Sequence, residues 1–465
     1  MDGLPVSTLE PVIGAGRYGR LLAGAAGLRA RIGDRTIWNV SSAAVGGGVA
    51  EMLQVLIGYA AGLNFPVRWA VIGADAEFFA TTKQVHNLLH GHDGHANPLG
   101  PARARHYEDV LAANASELLS LVRPGDVALL HDPQTAGLAP ALDRAGLSVV
   151  WRSHIGVDWR DRATEAGWRF LRPYLGAARG YIFTRRQYIP DWIPGERTWI
   201  VPPSIDPFSP KNQDLDPAAV VAIGVTAGVL DGDPPGGQGA YVRRDGSNGT
   251  VVHPGQVTCE RLPALGEPVV VQVSRWDRLK DMGGVMRGFA EHVVPGGPGY
   301  LMLVGPDVSD VADDPEGAMV YADCFKQWQE LPRVARERTL LATLPLDDTE
   351  ENAVMVNAIQ RHASVITQKS LAEGFGLTVA EGMWKGRPVI GSAVGGIRDQ
   401  IRDGSGVLLP DPADLATFGR QVRRLLDDPR AARRMGQAGR RRINQRYLGD
   451  RHLLQLAEVV SAVSG

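Results

Sequence analysis

The sequence predicts an α/β protein made of two doubly wound halves, each built around a largely parallel sheet. Short, largely apolar runs such as DVALL (126–130), PVVVQVS (268–274) and TLLATL (339–344) have strand length and no strict apolar–polar alternation, as strands buried on both sides require. Stretches with helical spacing separate them, which favours crossover connections over hairpins. Glycines and polar side chains gather just past the strand ends, where open α/β sheets place their ligands. At 465 residues the chain is long enough for two or three cores.

The bulk numbers exclude several classes. With 49 Lys and Arg against 51 Asp and Glu, the net charge of −2 gives no reason to expect nucleic acid or an anionic membrane as partner. The two cysteines, Cys259 and Cys324, are too few for a disulfide framework or a thiolate metal site, which fits a reducing compartment. MDGLPVSTLEPVIG lacks a basic segment followed by an apolar one, and no apolar run approaches a membrane span. The expectation is a soluble cytoplasmic protein.

Near the N-terminus, Gly14-Ala15-Gly16-Arg17-Tyr18-Gly19 fits the dinucleotide-binding pattern G-x-G-x-x-G, with Asp34 twenty residues beyond Gly14. That chemistry needs a strand entering the glycine turn, and only Val12 and Ile13 stand there after Pro11. The motif is read as a decoy. Arg35 to Val40 is the first convincing strand. It leads into Gly46-Gly47-Gly48 and a helix from Val49 to about Gly62, a cradle that lets a ligand approach the backbone closely. No Lys-Ser/Thr follows the glycines, so it is not a Walker loop.

Val67 to Gly73 reads as the second strand, and Glu77 to Leu89 as a helix ending among His86, His90, His92, Asp93 and His95. His86 and His90 stand one turn apart and could share a metal, but Gly91 breaks the helix at once. No metal is expected. The strand 126–130 ends in His131-Asp132-Pro133-Gln134, and the strand Val149 to Arg152 ends in Ser153-His154. Tyr181 to Thr184 and Thr198 to Val201 complete the first sheet. Pro202 to Pro207 and SPKNQDLDP read as an inter-domain linker. Gly228 to Gly255, glycine-rich and polar, reads as a flexible loop or small hairpin that buries little.

The second half opens with PVVVQVS, followed by Arg275 and Lys280. Two positive charges just past a strand end suit a diphosphate; they could also simply pair with Asp277 and Asp281. Tyr300 to Gly305 and 339–344 are further strands, and Glu351 to His362 a helix. Val365-Ile366-Thr367 then leads through Glu373-Gly374-Phe375-Gly376 into a helix from Leu377 to Lys385. Gly386-Arg387-Pro388 stops that helix before Val389-Ile390. Glu373 and Glu381 bracket the helix start, with glycines between them that bare backbone N–H groups. This fits a ligand that is anionic and rich in hydroxyls. The same pattern fits a buried βαβ unit whose glutamates are solvated or cap the helix. Gly395-Gly396 marks another glycine pair at a helix start, and 414–426 and 430–446 are amphipathic helices with Arg on their solvent faces.

The Arg275/Lys280 pair, the Glu373-x7-Glu381 spacing around GFG, and the GG turn together resemble the retaining GT-B glycosyltransferases of the glycogen-synthase and sucrose-synthase type (GT4-like). NVSSAAVGGGVAEMLQ, IGADAEFFATTKQVHNLLHG, LLHDPQTAGL, PPSIDPFSPKN and LAEGFGLTVAEGMWKGRPVIG bring the chain closer still to the trehalose glycosyltransferring synthases. The likeness covers roughly 35–207 and 268–447, fails over 228–255 and is loose over 94–105.

That resemblance implies a GT-B fold: two Rossmann-like domains, 1–205 and 206–447, facing a central cleft, with a final helix over 448–465 crossing back to the first. Arg275 and Lys280 would hold the donor diphosphate. Glu373 and the backbone of Gly374, Phe375 and Gly376 would face the donor sugar, with Glu381 on the ribose and His154 on the transferred sugar. Gly47 and Gly48 would reach the donor, and Gly46, Glu51, Asp132 and Gln134 the acceptor. Backbone near 344–346 would meet the base. The implied reaction takes glucose from NDP-glucose (ADP-glucose or UDP-glucose, for example) to glucose, forming trehalose reversibly by front-face transfer with retention and without an enzymic nucleophile. No cofactor would be required, Mg2+ would be stimulatory at most, and the protein would be a homodimer. A retaining trehalose phosphorylase fits the same motifs. Readings from other classes are a nicotinamide-dependent oxidoreductase, through Gly14 to Gly19, and a non-catalytic nucleotide-sugar sensor.

Overall fold

The structure, a computed structural model, describes residues 3–44, 47–92, 99–234, 239–308 and 315–464. The chain divides into two compact units, Met1–Ser204 with Tyr447–Gly465, and Ile205–Arg446.

Among the described residues the first unit holds six strands: β1 (Ile37–Ser41), β2 (Val67–Val71), β3 (Val127–His131), β4 (Ser148–Ser153), β5 (Gly180–Phe183) and β6 (Thr198–Ile200). They form one sheet in the order β2-β1-β3-β4-β5-β6, and every neighbouring pair is parallel. The chain leaves β1 to one side and returns on the other, so the strand order reverses between β1 and β3. Alternate side chains build two cores on opposite faces. Ala128, Leu130, Val149, Trp151, Tyr181 and Phe183 pack on one face with Phe78 and Tyr107. Val127, Leu129, Val150 and Ile182 pack on the other, with Leu28 and Ile32 of helix Ala15–Ile32 and Val459, Val460 and Val463 of helix Gly449–Val463.

The segment entering Gly14 is helical (Glu10–Ile13), and Gly14, at φ +80°, is the N-cap of helix Ala15–Ile32. With no strand entering that turn, the dinucleotide motif lacks the context its chemistry needs.

The second unit contains a hairpin, β7 (Ala240–Val242) with β8 (Asn248–Thr250), and strands β9 (Gln256–Thr258), β10 (Val269–Val273), β11 (Tyr300–Pro306), β12 (Thr339–Leu344), β13 (Val365–Gln368), β14 (Val389–Ser392) and β15 (Val407–Leu409). The last seven form a sheet in the order β15-β14-β13-β10-β11-β12-β9, parallel except for the edge strand β9. Here the order reverses between β10 and β13.

Two expectations need correction. Residues 207–216 are not a free linker, because Asn212 is buried and its carbonyl accepts from Trp384 Nε1 at 3.1 Å. Asn357 Nδ2 donates to the carbonyls of Pro210 and Gln213, both at 2.9 Å. A helix that the punctuation-rich sequence hid, Pro217–Thr226, follows at once, capped by the Asp216 carboxylate. The insertion also buries more than its composition suggests. Tyr241 and Val251 are buried, and the buried Glu351 carboxylate accepts from the N–H groups of Val252 and His253. Residues 235–238 of that insertion lie outside the described residues.

Candidate active site

In the second unit the chemistry gathers where the strand order reverses. Gln272, at the end of β10, is fully buried; its Nε2 donates to the Lys280 carbonyl at 2.7 Å and its Oε1 accepts from the Lys369 N–H at 3.0 Å. The N–H of Leu371 donates to the Leu279 carbonyl at 2.7 Å. These bonds tie the turn Arg278–Lys280 to the loop that leaves β13. Lys280 Nζ then meets Glu373 Oε2 at 2.6 Å, and Ser370 Oγ lies 3.3 Å from the same oxygen. The pair is largely enclosed, with side chains 16% and 12% exposed.

The alternative pairing of the two bases is half realised. Arg275, half-exposed, meets Asp277 at 3.1 Å. Asp281 is taken by the buried Lys369 and caps helix Met282–His292 from a left-handed conformation, so Lys280 is left to Glu373.

Beyond Glu373 the GFG loop is pinned from behind. Gln400 Nε2 donates to the carbonyls of Phe375 (2.6 Å) and Gly376 (3.1 Å), and the Gly396 N–H donates to the Gly374 carbonyl at 3.1 Å. Gly376 has φ +84°, which favours glycine, and opens helix Leu377–Trp384 without a side-chain cap. Gly396 permits the close approach: a Cβ there would lie 2.7 Å from Phe375 Cα. Glu381 lies on this helix, buried at 4% exposure. Lys385, next to the helix end, donates to Gln360 Oε1 at 2.7 Å and Asn212 Oδ1 at 3.2 Å. Burial pulls its ammonium down to about 7, against the charge of Glu381, which holds it up.

In the first unit one sheet face turns polar at its carboxyl end. Period-two alternation puts Asn39, His131 and Arg152 on the face that carries Ile37, Leu129 and Val150. His131 Nε2 meets Asn39 Oδ1 at 3.2 Å, and His131 Nδ1 meets His154 Nε2 at 3.1 Å. Asp132, at φ +63°, turns back so that its Oδ1 accepts from the His154 N–H at 2.7 Å. Burial pushes the Asp132 carboxyl up to about 7. Arg152 is buried and donates to His452 Nε2 at 2.9 Å; His452 Nδ1 in turn meets Ser204 Oγ at 2.8 Å.

The structure therefore joins Lys280 to Glu373 and His154 to Asp132. Gln134 sits in the turn after β3, with its buried Oε1 unpartnered among the described residues. Gly47 and Gly48 open the helix Gly47–Gly62 after β1, with Glu51 exposed in its second turn. Gly46 lies outside the described residues. Asn39, Arg152 and His452 were missed as participants; for Asn39 and Arg152 the available signal was a polar residue inside an otherwise apolar strand, whereas His452 lies on helix Gly449–Val463 and carried no such signal. His86 and His90 have ring centroids 4.8 Å apart, whereas Asp93 and His95 lie outside the described residues. Among the described residues no group of three metal-ligating side chains converges, and no helix is long and apolar enough to cross a membrane.

Comparison with known proteins adds to this geometry. Residues 39–190 match the family described as "Trehalose synthase, N-terminal domain", and residues 350–442 the family "Glycosyl transferases group 1". A trehalose synthase of Pyrococcus horikoshii is 31% identical over 438 residues, covering 94% of this chain and 92% of that protein. A trehalose synthase of Rubrobacter xylanophilus is 32% identical over 436 residues, covering 92% and 90%. The solved structure of α,α-trehalose 6-phosphate synthase from Burkholderia multivorans superposes with a TM-score of 0.66 at 13% identity, over 92% of this chain and 97% of that one, which supports the GT-B fold alone. The chain belongs to the trehalose synthase family of GT-B glycosyltransferases.

Proposed function

We propose that this glycosyltransferase moves glucose from an NDP-glucose to free glucose, giving trehalose and NDP, reversibly and with retention at the transferred carbon. The observation that carries the reading is the enclosed Lys280–Glu373 pair, with Ser370 on the same carboxylate oxygen, beside the uncapped start of helix Leu377–Trp384. A cation held by a carboxylate and aimed beside bared N–H groups suits a leaving diphosphate.

In the proposed step the bond from the sugar C1 to the diphosphate oxygen breaks, and a bond from C1 to an acceptor hydroxyl oxygen forms on the same face. The acceptor proton passes to the departing phosphate oxygen, so no enzymic nucleophile is needed. Lys280 and Arg275 offset the charge that grows on that oxygen. Glu373 positions Lys280 and, with the GFG backbone, faces the transferred sugar. Glu381 takes the ribose hydroxyls, His154 meets the transferred sugar, and Asp132, Gln134, Glu51 and Gly46 receive the acceptor glucose. Lys280 has three N–H donors, so it can keep Glu373 while it meets phosphate. Mg2+ enters only as a stimulatory ion.

The test supplies ADP-, UDP- or GDP-glucose with glucose and follows the anomeric protons by NMR. The reading expects α,α-trehalose and an equal amount of NDP. Release of NDP with a β-linked product overturns retention, and absence of any disaccharide with all three donors overturns the assignment.

A further inference from the structure

The hydrogen bonds around His154 determine which of its ring nitrogens carries a proton. Asn39, His131 and His154 are all buried, and they form a line in which each imidazole has a specified partner: Asn39 Oδ1 to His131 Nε2 at 3.2 Å, and His131 Nδ1 to His154 Nε2 at 3.1 Å. An amide oxygen only accepts, so His131 Nε2 must be the protonated nitrogen. A neutral imidazole has one N–H, so His131 Nδ1 presents a lone pair and His154 Nε2 must donate to it. His154 Nδ1 is then left as an acceptor. It makes no hydrogen bond among the described residues and is not among the enclosed, unpartnered atoms, so it remains open to a ligand. Neutral rings are what the surroundings favour. Burial pulls His131 down to about 3 and His154 well below the usual imidazole range, and the Arg152 guanidinium pushes both the same way.

We propose that Asn39 and His131 are positioning residues that hold His154 as its Nε2–H tautomer, leaving Nδ1 to accept a hydrogen bond from a substrate hydroxyl. A site of this kind selects a group that donates, and discriminates against a substrate lacking that hydroxyl. The tautomer follows from this geometry with both rings neutral and needs no substrate; its use on the transferred sugar rests on the donor reading above, and the exocyclic 6-hydroxyl is the first of that sugar's hydroxyls to test.

Long-range 1H–15N correlation spectra of the full chain with 15N-labelled histidine decide the first part without any substrate. The expected pattern is protonation at Nε2 in both His131 and His154. Protonation of His154 at Nδ1, or a charged His154 near neutral pH, overturns the proposal.

The second part compares kcat/KM for the NDP-glucose that is turned over with its 6-deoxy analogue. The wild type should prefer the hydroxyl by roughly tenfold, about the free energy of one hydrogen bond. His131→Asn, whose Oδ1 takes the acceptor place of Nδ1, should keep that preference, and His131→Leu should reduce it toward unity. Asn39→Leu, which leaves both imidazoles in place and removes only the acceptor for His131 Nε2, should weaken it likewise and serves if His131→Leu does not fold. An undiminished preference in both Leu variants overturns the positioning role. No preference in the wild type overturns the contact with the sugar. If no NDP-glucose is turned over at all, the donor reading fails, while the spectra still decide the tautomer.

Discussion

Replacing Lys280 by Met separates the ion pair that its ammonium group makes with Glu373 from the part proposed for it in the reaction. Lys280 and Glu373 are 16% and 12% exposed and 2.6 Å apart, so the pair lies between the surface and the deep interior. Exposed pairs contribute at most about 1 kcal/mol, and orphaning a buried charge costs about 3–5 kcal/mol. Because Ser370 still reaches the Glu373 carboxylate at 3.3 Å, we expect a stability loss of about 1–3 kcal/mol. The catalytic loss should exceed this. Removing one group that stabilises charge in the transition state typically lowers kcat by roughly 10²–10³-fold, or about 3–4 kcal/mol. Chemical denaturation measures the first quantity, and steady-state trehalose formation the second. Adding Glu373→Gln distinguishes the roles: the double variant should recover stability, since no charge is left unpaired, but not turnover. Recovery of kcat to within about threefold of wild type in the double variant would mean that Lys280 serves only to neutralise Glu373, which would refute its proposed part in the reaction.

Other outcomes follow from other contacts. In Gly396→Ala the new Cβ would meet Phe375 Cα at 2.7 Å and its carbonyl oxygen at 2.8 Å, displacing the GFG loop; KM for the donor should rise about tenfold or more, with about 1–3 kcal/mol lost in denaturation. The His253–Glu351 pair raises the His253 pKa, so its stabilisation is complete below the unfolded histidine value of about 6.5 and fades as pH rises through the raised value; His253→Gln should abolish that part of the pH profile of unfolding. Glu351→Gln weakens the acceptor of two backbone N–H groups, and limited proteolysis should cut 240–258 faster than in the wild type. The proposed reaction calls for no resident metal, so enzyme dialysed against EDTA should retain most of its turnover; complete loss, restored by a divalent cation, would contradict this.

The strands were legible because burial on both faces demands continuous apolar runs, and β12 falls on the expected residues, Thr339–Leu344. The GFG turn, the helix after it and the bases beyond β10 were legible too, since glycine at positive φ and charge at strand ends leave local marks. What escaped was set by distant contacts. Residues 207–216 resemble a linker in composition, yet Asn357 and Trp384, more than 140 positions away, hold them in place. Pairing followed the same rule. Asp281 lies next to Lys280 in sequence, but fully buried Lys369 needs a counter-charge more than partly solvated Lys280 does, and takes it. Asn39, Arg152 and His452 belong together only because the sheet register and the C-terminal helix bring them there.

The most direct test of the proposed reaction runs it backwards with trehalose as the only sugar. Separate reactions receive ADP, UDP, GDP or inorganic phosphate, and the glucosyl product is identified by mass spectrometry and NMR. The account predicts an NDP-glucose in at least one nucleotide reaction and no glucose 1-phosphate with phosphate. Glucose 1-phosphate formed with phosphate alone would contradict it and make the enzyme a phosphorylase, and no product in any reaction would remove trehalose as its substrate.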